Sequence, residues 1–150
     1  MLSGKLIRLI ESHAEELTIQ IDRDIRDNPE CAHLAKLPEA ELRETRREIL
    51  KNLGHWLEFA NEETLDREYE AIGKARYHES IPLHECLRGL CLIKDRMIDF
   101  IHEQAIDRDS VALYAEEELE RRVGRFFDLL VIHMARGYEI EWRHAVRAAA

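Results

Sequence analysis

The segment Ile72-Gly73-Lys74-Ala75-Arg76-Tyr77-His78-Glu79-Ser80-Ile81-Pro82-Leu83 limits the fold of this chain more than any other stretch of it. It is a helix exit, a tight turn and a new helix start, set midway along an otherwise helical pattern. The residue before a proline avoids helical angles, so Ser80-Ile81-Pro82 forces a break, and Pro82 then opens the next helix. On one side Leu65, Tyr69, Ile72 and Arg76 share a helical face. On the other Leu83, Cys86, Leu87, Leu90, Ile93, Met97, Phe100 and Ile101 mark the most apolar helix, predicted to be central.

The same periodicity extends to both ends. Leu6, Ile10, His13, Leu17, Ile21 and Ile25 predict one helix over 3–27, which Asn28-Pro29 ends. Residues 29–37 read as a connector with one short helical turn. Pro38 is suited to the first position of a second helix, where its missing N–H costs nothing. That helix carries Leu42, Ile49, Leu53, Trp56, Leu57 and Ala60 and stops near Asn61; a third covers 62–79. Asp107 to Ser110 offer caps for a last helix with Leu119, Val123, Phe126, Leu130, His133, Met134 and Tyr138 inward. Unbroken, that helix is about 40 residues, or roughly 60 Å, long, and its end is predicted to leave the bundle after Gly137. The expected fold is all-α, a bundle of about five helices with a long C-terminal helix, forming one domain over 1–150.

Composition excludes several function classes. A net charge of −9 gives no attraction to nucleic acid or anionic lipid. The longest apolar run, Leu129-Leu130-Val131-Ile132, falls far short of the roughly 18 residues that suggest a membrane span. The N-terminus shows no signal-peptide pattern, so a cytoplasmic protein is expected. Cys31, Cys86 and Cys91 form no C-x-x-C pair and fit reduced thiols. There is no phosphate loop, nucleophile elbow or protease context, and no enzyme activity is expected.

Eight histidines call for a test of metal and haem binding. Only His13 and His133 fall on apolar faces; His55 lies on the solvent side, with His84 and His102 on the rim. Two Glu-x-x-His tetrads, Glu30 to His33 and Glu141 to His144, match the di-iron spacing, but one follows Pro29 in the connector and the other lies near the chain end. His84-Glu85-Cys86 with Cys91 lacks a common direction. No metal is expected. Trp56, Phe100, Phe126, Phe127 and Tyr138 read either as core or as the wall of a small-ligand pocket.

In this helix order, Leu9-Ile10-Glu11-Ser12-His13-Ala14-Glu15-Glu16, Leu37-Pro38-Glu39-Ala40-Glu41-Leu42, Leu53-Gly54-His55-Trp56-Leu57 and Ile81-Pro82-Leu83-His84-Glu85-Cys86-Leu87 carry a resemblance over most of the chain. The chain resembles the N-terminal domains of RsbR/RsbRD-type stressosome proteins and of similar bacterial sensor kinases. The resemblance implies a globin-like domain without haem that pairs as a homodimer through helices and relays a signal to an output domain or partner in the stress response. In the neighbouring globin-coupled gas sensors, Ile-x-x-x-His before this turn supplies the iron ligand. Here Ile72-Gly73-Lys74-Ala75-Arg76 puts arginine there, and a guanidinium has no lone pair to donate.

The expected function is therefore a sensory and dimerisation module of signal transduction, with no cofactor. Phe126, Leu130 and Met134 are the candidate dimer contacts. Two alternatives stand beside it: a haem-binding gas sensor using His78, His13 or His133, and a helical adaptor without ligand.

Overall fold

A computed structural model describes the backbone of residues 2–59, 62–104 and 109–150, and the side chains of all of these except Leu2, Ser3 and Phe59. Among the described residues the chain forms α1 (Leu2–Ser12), α2 (Ala14–Arg26), 3-10 turns at Pro29–Cys31 and Leu34–Lys36, α3 (Glu39–Lys51), α4 (Leu53–Phe59), α5 (Glu62–His78), α6 (Leu83–Glu103) and α7 (Ser110–Ala149). The all-α class and the long last helix are as the sequence predicts.

Two predicted helices are each divided in two. The first bends at His13, although its hydrogen bonds continue across the bend, from His13 N–H to Leu9 (3.1 Å) and from Leu17 N–H to His13 (3.0 Å). The His13 ring nitrogen Nδ1 also lies 2.8 Å from the Leu9 carbonyl oxygen, so a side chain competes for the backbone acceptor. Asn52 does the same between α3 and α4, donating Nδ2 to Glu48 O at 3.2 Å. Pro38 lies one position before the helix, as its cap, with its carbonyl accepting from Glu41 and Leu42. The predicted stop at Asn61 lies outside the described residues, as does Asp107; Asp109 caps α7 by accepting from Ala112 N–H at 2.7 Å.

The turn after α5 is a Schellman motif. Ser80 takes the left-handed conformation, φ 60°, while Ile81 N–H reaches Arg76 O (3.1 Å) and Ser80 N–H reaches Tyr77 O (3.0 Å). Tyr138 of α7 donates its hydroxyl to Ile81 O at 2.7 Å and pins the turn to the last helix.

The core is one contiguous cluster with Ile10, Ile21, Leu50, Leu53, Met97, Ile101, Leu119, Val123 and Leu130 fully enclosed. α6 and α7 pack antiparallel, whereas α5 runs in the same sense as α7 and lies closest to it. That closeness has a sequence cause. A Cβ on Gly137 would overlap the Glu70 carbonyl, with its carbon only 2.7 Å away, and one on Gly73 would overlap the carbonyl oxygen of Met134 and lie 2.9 Å from Tyr138 N. The two helices touch backbone to backbone, which only glycine permits.

Candidate functional site

Arg76 follows from its helix face: α5 buries Leu65, Tyr69 and Gly73, and one turn later the same face buries Arg76, 5% exposed. A buried guanidinium needs partners. Nη1 donates to Glu41 at 3.0 Å and to Glu79 at 2.9 Å. Nearby Arg46 of α3, 3% exposed, pairs with the buried Asp22 of α2, which Arg43 also approaches at 3.4 Å. Burial, and then the positive charge of Arg76, push the pKa of the Arg46 guanidinium down to about 10, so Arg46 remains a cation at neutral pH.

Arg46 and Arg76 line a cavity of about 40 Å³ together with Ile25, Leu42, Cys86 and Leu90. Burial pushes the Cys86 thiol up to about 11 despite Arg76. Cys31 is likewise raised, chiefly by burial, so neither thiol is an activated nucleophile. Trp56, Phe100, Phe126 and Phe127 are packed core: Trp56 meets Phe126 at 6.2 Å between ring centroids and Phe126 meets Phe127 at 5.4 Å.

The three alternative haem histidines are scattered. His13 is half-buried with its ring 5.4 Å from Phe100. His78 is exposed at the end of α5 with Nε2 3.2 Å from Glu141. His133 is 1% exposed, with Nδ1 against Asp66 and Nε2 3.6 Å from Glu62. None of them lines the cavity beside Arg76. The two Glu-x-x-His tetrads are drawn into other pairings: Glu30 to Arg88 at 3.0 Å, and Glu141 to His78.

Sequence reasoning missed Glu85, because it treated the residue only as part of a His84-Glu85-Cys86 string. The residue is 3% exposed and its side chain closes the connector onto α6, accepting from His33 N–H at 2.7 Å and Leu34 N–H at 3.2 Å, with His33 Nδ1 at 2.6 Å. Burial raises its pKa, but the Leu34 and His33 donors together outweigh burial and leave it below the usual carboxylate value. A depressed folded value gives stability that is present above the unfolded pKa, about 4.3, and is lost as pH falls through the folded one. The stability of the native protein against urea is therefore expected to fall as pH drops below about 4, and Glu85→Gln to flatten that dependence. An unchanged acid slope in the variant would remove Glu85 from this role.

The last helix supplies the second element of the site. Phe126, Leu130 and Met134 are 5%, 0% and 6% exposed, because they pack into the protomer's own core, so they offer a second copy almost no surface. Toward its C-terminal end α7 exposes other apolar residues: Ile132, Trp142 and Val146 are each about half exposed, at 51%, 52% and 51%. Every residue from 142 onward is exposed, so the helix does leave the bundle, as predicted.

Helix order, a long last helix and a buried proximal segment together define a globin-like domain. Two solved structures are similar to it, the globin domain of E. coli DosC in its ferrous and ferric forms, each with a TM-score of 0.70 at 16% identity, covering 90% of this chain and 88% of that one. At this identity the likeness shows the fold alone. Residues 14–150 match the RsbT co-antagonist protein rsbRD N-terminal domain, and the chain belongs to that family. It is a globin-like sensory domain of signal transduction. No curated protein matches it. Among the described residues no helix is long and apolar enough to cross a membrane.

A haem does not fit the cavity beside Arg76. Ligand pockets are commonly about 300–1,000 Å³. The cavity beside Arg76 is about 40 Å³, and the group facing it is an ion-paired guanidinium with no lone pair.

Proposed function

We propose that this domain is a haem-free, cytoplasmic sensory and dimerisation module, without enzyme activity, that relays a change in helix packing to an output domain or stressosome partner. The observation that carries this reading is the continuity of α7, which holds Phe127 and Leu130 in the core and then presents Trp142 and Val146 to solvent without a break. Ile132, Ala135, Glu139, Trp142, Val146 and Ala149 recur at alternating spacings of about three and four, the seam of a two-stranded coiled coil. A second copy packed along that seam buries the exposed Trp142 and brings two signalling helices together.

The haem-binding alternative has one observation in its favour, the fold shared with a globin domain described in ferrous and ferric forms. It requires Arg76 to leave Glu41 and Glu79 and the cavity to open several-fold.

The test has two parts. The purified protein is incubated with hemin, freed of excess and examined by visible absorption; no Soret band is expected, and a stable stoichiometric band would establish the haem alternative. Sedimentation then compares the native chain with Trp142→Glu. A dimer whose dissociation constant rises by about 30-fold, with helicity unchanged, is expected for the loss of a central aromatic anchor. A monomeric native protein would favour the ligand-free adaptor.

A further inference from the structure

His102 lies in the last turn of α6, and Glu116 and Glu120 lie one turn apart in the early part of α7. Residues four apart on a helix are neighbours, and like charges so placed repel unless a cation intervenes. Among the described residues no lysine or arginine is ion-paired to either glutamate; both face the imidazole, Glu116 at 3.7 Å from Nε2 and Glu120 closer still. The two carboxylate side chains are mostly enclosed, 14% and 27% exposed, while that of His102 is 54% exposed. The pair is thus held beneath a half-exposed imidazole.

One donor atom from each residue lies within 4.8 Å of the other two. Around a tetrahedral zinc with bonds of about 2.0–2.2 Å, donor atoms are separated by about 3.4 Å, a spacing these side chains reach by small rotations. We propose that His102, Glu116 and Glu120 form a site for a divalent transition metal of the zinc class. One imidazole with two carboxylates suits such an ion, whereas magnesium and calcium favour all-oxygen shells. Three protein ligands leave a position for water. The ion joins the end of α6 to the early part of α7. The site is invisible in the sequence because its ligands come from two helices whose relative register periodicity does not give.

The test uses the whole chain, stripped with a chelator and titrated with Zn²⁺ alone. One equivalent is expected to bind, and at a hundredfold excess over Kd the thermal midpoint rises by about 5 °C or more. His102→Ala and Glu120→Gln are each expected to weaken binding by at least about 100-fold with helicity unchanged. His78→Ala, which removes the partner of Glu141 elsewhere on the molecule, leaves affinity unaltered. No binding to the native chain, or undiminished binding in both site variants, overturns the proposal. Equal affinity for Mg²⁺ overturns its assignment to a transition metal.

Discussion

Gly137→Ala is expected to destabilise the domain by about 3 kcal/mol or more, whereas Gly124→Ala, the same substitution earlier in the same helix, is expected to stabilise it by up to about 1 kcal/mol. The difference lies in what a methyl group meets. At Gly124 nothing lies within 4 Å, so alanine keeps only its advantage in helix propensity. At Gly137 the methyl would overlap the Glu70 carbonyl, and backbone cannot step aside as a flexible side chain does. The propensity gain is too small to offset a forced separation of α5 from α7. Urea unfolding of the two variants provides the comparison, and equal small effects would mean that these helices are not in backbone contact.

The second large effect concerns the buried charges. Asp22→Ala leaves Arg46 enclosed, 3% exposed, without its carboxylate, and is expected to cost about 3–5 kcal/mol and to lower the thermal midpoint by about 10 °C or more. Replacing both partners, as Asp22→Leu with Arg46→Met, removes the charge together with its counter-charge and is expected to stay within about 1 kcal/mol of the native chain. Arg76 faces Arg46 across the cavity, so taking one cation away also relieves a repulsion. A double variant as unstable as the single one would show that packing, rather than charge compensation, sets the cost.

Much of this fold was legible because helix faces and caps are local. Asp109 and the spacing from Leu119 to Tyr138 define α7, and Ser80-Ile81-Pro82 defines the turn before α6. The bends at His13 and Asn52 were not legible, since the apolar spacing runs through both and the cause is a side chain competing for a backbone carbonyl. Periodicity placed Arg76 inward. It did not supply Glu41, Arg46 or Asp22 as neighbours, because residues from α2 and α3 meet α5 through crossing angles that spacing does not contain. The same limit applies to the candidate dimer contacts. Phe126, Leu130 and Met134 form the most apolar stripe of α7, and the protomer uses that stripe for its own core.

The crossing of Gly73 and Gly137 gives the last helix a fulcrum. About 40 Å of helix lies between Gly137 and Ser110, and about 18 Å lies between Gly137 and Ala149. A rigid rod pivoting there is a lever with unequal arms, so a displacement at the Ser110 end reaches the Trp142–Val146 tip reversed in direction and reduced by about half or more. On the function proposed above, a stimulus acting near the start of α7 would emerge as a smaller, opposite movement at the tip of a helix that is continuous from Ser110 to Ala149.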